Sequence, residues 1–331
     1  GAGAAVSDAT QLGAGAPAGD FDAALAFAVG ELGKLAQGRA SISDGKISIE
    51  GQGRENVQAT TIEADAKAHL PKGFDIARLD IVAGPVSPYV FGAERADAEV
   101  TLTGYVPDEV ARQRLVESAR RHFFDAAVVD RLAIAKGAPQ NFTDAADHSL
   151  AALARLADGR LAISDATVAL TGAARHQNAR AEIGTALAES LPQSFRGDAR
   201  LSTRILGSTL DAGQCGAALS QLLAKRPIKF SADDVAIAPE SAPLLDAIAA
   251  TALRCQIVGL EVAAHTDNAG ISEVNLARSK RHAQAVVEHL VKAGVDPFKA
   301  TAVGYGAERP IVPNDSDENR ARNARVEFVV K

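Results

Sequence analysis

Methionine and tryptophan are absent from this 331-residue chain, and aromatic residues make up only 4% of it. A hydrophobic fraction of 47% is still enough to bury real cores, so those cores must be built from Ala, Leu, Ile and Val. No apolar run approaches the length of a bilayer span. With a net charge of −6 the chain lacks the clustered basic footprint of a nucleic-acid binder. Cysteine is limited to Cys215 and Cys255, and without a CxxC or Cys/His cluster a zinc site is not expected. They read either as two buried thiols or as a disulfide. No signal peptide is visible, and the opening Gly1-Ala2-Gly3-Ala4 without Met suggests a trimmed chain whose exporting or anchoring segment is missing.

Periodicity and repetition supply what composition does not. Residues 1–19 are rich in Gly and Ala and read as a tail. Phe21 to Leu35 carries helical spacing. Two segments of period two follow, Gly38–Asp44 and Lys46–Gly51, as in a hairpin with one wet face. Asn56 to Leu70 is helical again, and Phe74 to Val82 returns to strand alternation. This αββαβ order recurs. Gly159-Arg160-Leu161-Ala162-Ile163-Ser164-Asp165 restates the first hairpin almost residue for residue. It runs on through Thr167–Gly172, a helix from Asn178 to Leu191 and a strand from Ala199 to Leu206. A copy between them is shorter at its front: strands Tyr89–Arg95 and Glu99–Gly104, a helix to His122 capped by Asp108 with Glu109 at its positive end, and a strand Ala127–Lys136. Gly51, Gly104 and Gly172 hold equivalent places, which a positive φ explains without any ligand.

From Arg226 the chain reads βαβαβ and a last strand: Ile228–Phe230, a helix Pro239–Leu253, a mostly apolar strand Gln256–Ala264, a long helix Ile271–Ala293, Thr301–Gly304, and Arg325–Val330. The apolar strand runs into a polar corner, Ala264-His265-Thr266-Asp267-Asn268-Ala269-Gly270. Such a corner, just before a helix N-terminus, offers backbone N–H donors to a carboxylate, and Asp267 can take an ammonium. A ligand carrying both groups, such as an amino acid, would suit it.

In order and spacing, Ile228-Lys229-Phe230, His265-Thr266-Asp267, Gly270, Asn275, Ser279, Gly304-Tyr305-Gly306, Pro310-Ile311, Asn314, Arg320-Ala321, Asn323 and Arg325-Val326-Glu327 resemble the OmpA-like peptidoglycan-binding domain, the C-terminal type also found in Pal and MotB. The repeats resemble BON modules, small αβ units of envelope proteins often associated with phospholipid. The first and third copies match each other best. These resemblances imply an α+β chain: a tail (1–19), BON-like repeats at 20–84, 85–138 and 139–207, and an OmpA-like domain at 214–331 with a small mixed sheet. They also imply an oxidising periplasm, which favours a Cys215–Cys255 disulfide. Closing a loop of that size would contribute about 4 kcal/mol by chain entropy.

In the family, the Asp of the HTD motif and an Arg fifteen residues later grip the zwitterionic part of a meso-diaminopimelate stem peptide. The resemblance gives Asp267 the first role, but the second falls on His282, where a histidine replaces the rigid, always-charged fork of an arginine. Arg281 and Arg278 are the nearby substitutes. Binding could have lapsed, His282 could bind in its charged form and more strongly in acid, or it could be a half-buried helix histidine. The implied site is Thr266, Asp267, Asn275, His282 and Arg325. Thr266 is the direct contact, Asn275 the brace of the loop, His265 an orienting hydrogen-bonder, and the Ser231 N–H a minor donor. Arg325 either helps neutralise the ligand or pairs with Glu327 or Asp267. Ala264 and Ala324 depart from the family pattern.

Catalysis is not expected. His265, Asp267 and Ser279 have the residue types of a hydrolase triad but no nucleophile elbow, and a mid-helix serine is usually solvated. Gly304-Tyr305-Gly306 is too short for a nucleotide loop, and the seven histidines show no metal-ligand spacing, so no cofactor is expected. Arg112, Arg114, Arg120, Arg121 and His122 read as a solvated face in preference to an anionic-lipid patch. The functions that remain are a non-catalytic envelope protein binding peptidoglycan, with the repeats as spacer or membrane-facing module, and a scaffold whose wall site has lapsed. A membrane-inserting pore lacks the necessary strands or spans.

Overall fold

The structure, a computed structural model, describes residue 9 and residues 19–205, 207–231 and 236–331. Most of the expected tail, and Leu206 at the end of one expected strand, lie outside the described residues. The chain divides into two compact units, Gly1–Ser87 and Pro88–Lys331.

In the first unit, α1 (Phe21–Leu32) is capped by Asp20, whose carboxylate accepts from the Ala23 N–H. The hairpin β1 (Leu35–Ser43) and β2 (Lys46–Gly53) is antiparallel. After α2 (Ala59–Ala68), β3 (Asp75–Val82) returns parallel to β2, giving the order β1-β2-β3. Ile47 and Ile49 of β2 point to the helix side and pack with Ala24, Leu35, Ile62 and Phe74. Aliphatic side chains dominate this core, with Phe74 inside it and Phe27 packed against it, as the composition requires.

The second unit begins with β4 (Val90–Ala96), β5 (Glu99–Val106), α3 (Glu109–His122) and β6 (Ala127–Ile134). It continues with α4 (Phe142–Ala154), β7 (Leu156–Ser164), β8 (Thr167–Ala174), α5 (Gln177–Ser190) and β9 (Arg196–Thr203). These strands form one six-stranded sheet, β6-β5-β4-β7-β8-β9, in which β4 and β7 pair antiparallel at the centre. Asp108 caps α3 by accepting from the Ala111 N–H at 2.8 Å. The three equivalent glycines are required by close approach: a Cβ on Gly51, Gly104 or Gly172 would come within 2.4, 2.4 or 2.3 Å of a carbonyl oxygen on the paired strand.

Next come α6 (Ala212–Lys225), a 3-10 turn (Pro239–Ser241), α7 (Ala242–Ala252), β10 (Leu260–Ala264), α8 (Ser272–Lys292), β11 (Ala300–Gly304), α9 (Asp317–Asn323) and β12 (Val326–Val330). The sheet order is β11-β10-β12, with β10 parallel to β11 and antiparallel to β12. Every residue of β10 is buried. Two readings of the sequence need correction here. The apolar strand begins at Leu260, four residues later than its composition suggests, and Val258 is 82% exposed. Ile228–Phe230 forms no extended strand, only a single bridge from Phe230 to Ile237. Residues 212–225, to which the sequence reading assigned no element, form α6, whose start is set by a reciprocal capping box between Asp211 and Gln214.

Cys215 and Cys255 are disulfide-bonded, which ties α6 to the end of α7, and Leu210 forms a bridge beside Cys255. Gly304 lets α8 lie directly on the end of β11, since a Cβ there would meet the Lys280 nitrogen at 2.2 Å.

Candidate binding site

Three backbone ends meet where β10 stops. His265 N–H donates to the Arg325 carbonyl, Tyr305 N–H to the Ala264 carbonyl and Thr266 N–H to the Gly306 carbonyl, at 2.8–2.9 Å. The loop that follows is fixed by Asn275, whose amide donates to the carbonyls of Ala269 (2.9 Å) and Asp267 (3.4 Å). Asp267 Oδ1 accepts from the Ala269 N–H at 2.9 Å, and Thr266 Oγ1 donates to the Asp267 carbonyl. Ser279 corrects the solvated reading. It is fully buried, donates to the Leu276 carbonyl and accepts from the Gly306 N–H at 2.9 Å, so it clasps α8 to the Gly304–Gly306 turn. Asn323, also fully buried, accepts from the N–H groups of Ile311 and Val312 and donates to the Val312 carbonyl.

This framework leaves a cleft of about 160 Å³. Thr266, Asp267, His282 and Arg325 line it together with His265, Arg278 and Phe230. Asn275 stays behind the loop. The first turn of α8, expected to supply backbone donors, is not part of the lining. The helix presents Arg278 and His282 from its flank instead. Of the two arginines that could replace the missing one, Arg278 reaches the cleft. Arg281, a further 100° per residue round the helix, is exposed elsewhere. The His282 ring lies flat on Phe230, with centroids 3.7 Å apart and planes within 6°. Phe230 was recognisable only as part of a motif. Its stacking role depends on a partner 52 positions away.

The charges on the floor are unequally satisfied. Arg325 donates to Glu327 (2.5 Å) and to the Asn323 and Arg309 carbonyls while still lining the cleft. The Ser231 N–H is engaged by the Ala236 carbonyl, which removes it as a ligand donor. His265, expected to orient its neighbours by hydrogen bonding, does not: both ring nitrogens are buried without a hydrogen-bond partner. Its ring stacks on Tyr305, whose other neighbour is the Arg309 guanidinium 3.7 Å from the ring centroid. Burial, and then the charge of Arg325, push the His265 imidazole below its ordinary pKa and favour the neutral form. Among the described residues the cleft is lined by the Asp267 carboxylate, the Arg278 and Arg325 guanidinium groups and the imidazoles of His265 and His282, and both ring nitrogens of His265 lack a hydrogen bond.

A second grouping was not foreseen, because its members lie far apart in sequence. Asp246 on α7, fully buried, accepts from Arg155 Nε at 2.7 Å and Nη2 at 3.2 Å, and from His176 Nε2 at 3.1 Å. His176 Nδ1 accepts from the Ala179 N–H and so caps α5. That acceptor role fixes the proton of the neutral ring on Nε2, facing Asp246. Burial alone would raise the Asp246 carboxyl. The donors His176 and Arg155, with His289 behind them, hold it well below the usual carboxylate range. The ligand atoms of His176, Asp246 and His289 are close enough for a metal ion, contrary to the reading of scattered histidines. The donor set does not fit one, since Arg155 already occupies both carboxylate oxygens and both His176 nitrogens are engaged. The cluster is an ion-pair lock joining α4 and α5 to α7. Elsewhere, Arg112 pairs with Asp130 and Arg114 with Asp144, as a solvated, acid-balanced face would.

Residues 229–324 match the OmpA family, and residues 95–136, within the middle repeat, match the BON-like domain. The peptidoglycan-associated lipoprotein of Pseudomonas aeruginosa is 34% identical over 125 residues, covering 37% of this chain and 74% of that protein. The chain belongs to the OmpA family. A longer match reaches beyond the OmpA region: the peptidoglycan-binding protein ArfA of Mycobacterium tuberculosis is 26% identical over 252 residues, or 75% of this chain and 77% of that protein. Among solved structures, the peptidoglycan-associated lipoprotein of Burkholderia pseudomallei is 28% identical, covering 33% of this chain and 93% of that one, with a TM-score of 0.30. The OmpA-family match thus contains the loop, Asp267, Arg278 and His282, and ends one residue before Arg325.

Proposed function

We propose that the cleft binds the zwitterionic end of a diaminopimelate-containing peptidoglycan stem peptide, and that the chain is a non-catalytic, wall-attached protein of the bacterial envelope. The observation that carries this is the meeting of opposite charges in one small cleft, which Asp267, Arg278 and Arg325 line together. An ammonium group bonds to the Asp267 carboxylate. The adjacent carboxylate is held by Arg278 with Arg325, and the unspent His265 nitrogens and Thr266 complete the polar lining. Arg278, one turn before His282 on α8, takes the place of the family arginine, while His282 stacked on Phe230 forms the apolar wall behind the ligand. The names of the ArfA and lipoprotein relatives support peptidoglycan as the source of such a ligand. An envelope location fits the same relatives. Among the described residues no helix is long and apolar enough to cross a membrane. The repeats serve as a spacer in this reading, and the paired arginines of α3 give a lipid-facing role no added support.

Co-sedimentation with purified diaminopimelate-type sacculi tests the proposal. Wild type should pellet, Asp267→Ala should stay in solution, and Arg278→Gln should pellet more weakly. The replacement of the family arginine by His282 favours one second reading, a scaffold whose wall site has lapsed. It predicts no pelleting by wild type and a gain with His282→Arg.

A further inference from the structure

The first and third repeats align without a gap from Phe21 to Gly51 on Phe142 to Gly172, a constant offset of 121 residues. The correspondence extends to conformation. Asp44 and Asp165 both take φ of 49° in the hairpin turn, and both first strands carry an irregularity at the same place, Leu35/Gln37 and Leu156/Asp158. One difference stands out against this identity. Phe142, Ala146 and Leu150 of α4 are 2%, 0% and 0% exposed, while their equivalents Phe21, Leu25 and Val29 of α1 are 42%, 48% and 59% exposed. These three lie at i, i+4 and i+8, a continuous apolar stripe on one face of α1.

The cause is visible in the second unit. Phe142 packs edge-on against Tyr89 and Phe91, beside and on β4 of the middle repeat, at 5.1 and 5.9 Å between centroids. Under it, β7 pairs with β4 from Gly159↔Arg95 to Ser164↔Val90. Among the described residues β1, the equivalent of β7, pairs only with β2, so its outer edge is open. The first repeat thus exposes both parts of the surface that the third repeat buries, an apolar helix stripe and a strand edge. An open edge is a template for another strand.

The β4–β7 seam also shows what fits that surface. The turn aspartates Asp97 and Asp165 set the numbering of the two strands, and on that basis Ala93 and Leu161, which face each other, are both equivalent to Ala40. The seam joins two like strands about a local two-fold axis, the geometry of an isologous interface. We propose that the first repeat associates with the first repeat of a second copy of this chain, β1 against β1 with Ala40 opposite Ala40, to make a six-stranded sheet like the one in the second unit. The middle repeat brings no front helix, so α4 alone covers the β4–β7 seam. Two copies of the first repeat bring two front helices, and their Phe21–Leu25–Val29 stripes bury each other. For a wall-binding chain this pairing would place two clefts in one assembly.

The test uses the full chain. Sedimentation equilibrium should show a reversible dimer. Leu25→Glu with Val29→Glu, both at exposed positions, should raise its dissociation constant by at least roughly a hundredfold, because burying each such side chain contributes well over a tenfold factor. Circular dichroism verifies that the variant is folded. Independently, Ala40→Cys under mild oxidation should give a covalent dimer, as both native cysteines are already bonded to each other. A chain that is monomeric at all concentrations, a dimer indifferent to the double glutamate variant, or an Ala40→Cys variant that stays monomeric on oxidation would each overturn the proposal.

Discussion

Two clusters of charge in the second unit, around Asp246 and around Asp267, hold similar residue types and end in opposite conditions. Asp246 is fully buried, and its oxygens are answered by Arg155 and His176 of the same chain. Asp267 is half-buried, accepts one backbone N–H, and shares its cleft with an imidazole whose nitrogens make no hydrogen bond, Nε2 lying 3.8 Å from the Glu327 carboxylate. A buried polar group without a partner costs free energy, so a native fold keeps one chiefly where something else arrives to satisfy it. Saturation marks the first cluster as a structural lock, and incompleteness at the second is what the proposed ligand would complete.

Substitution should pull the two apart. Asp246→Ala removes the buried partner shared by Arg155 and His176, leaving Arg155 only Glu182, and should cost about 3 kcal/mol in urea unfolding of the full chain. A loss below 1 kcal/mol would show that the lock is dispensable. Replacing both Cys215 and Cys255 by serine opens a loop spanning 40 residues and should cost about 4 kcal/mol by chain entropy, read in the same experiment. Asp267→Ala should leave stability within roughly 0.5 kcal/mol, as for surface positions, and remove sacculus binding. An equal stability loss at both aspartates would erase the distinction.

Acid supplies a further contrast. The folded-state pKa of Asp246 is depressed, so its stabilisation is complete above the ordinary carboxyl value of 3.8 and is lost as the pH falls below it. Wild type should therefore weaken steeply below about pH 4, and Asp246→Asn should flatten that limb of the stability–pH curve. Smallest in expected size is Arg278→Gln, which should weaken sacculus binding by about tenfold, the equivalent of one charge-assisted hydrogen bond. An unchanged affinity would return the carboxylate-holding role to Arg325 alone.

Much of this was legible along the chain. Alternation at Lys46–Gly51 marked β2, Asp108 marked the start of α3, and the motif order from His265 to Arg325 marked the C-terminal domain before any coordinate. Local signals sufficed because those features depend on neighbours within a turn or a strand. The capping box at Asp211 and Gln214 was equally local and could have disclosed α6. The Asp246 lock was not legible, since its partners lie 91 and 70 residues earlier and no periodicity relates them. Ser279 and Asn323 look like ordinary polar helix residues until the turn they clasp is in place. Val258 shows the limit from the other side, since an apolar residue beside a buried strand need not belong to it.

The lock has a mechanical consequence. In the proposed wall-bound state, a pull on a fragment held at Asp267 would enter the protein at the end of β10, the middle strand of its sheet, flanked on both sides by hydrogen-bonded neighbours. From there the load passes through the small core to α7, and Asp246 hands it to Arg155 at the end of α4, directly above the central strands of the six-stranded sheet. Strands loaded along their length must shear several bonds at once to yield, and a buried ion pair must be drawn into a low-dielectric gap before it parts. In that state the second unit would serve as a tether, and acid, by discharging Asp246, is the condition under which that tether should slacken.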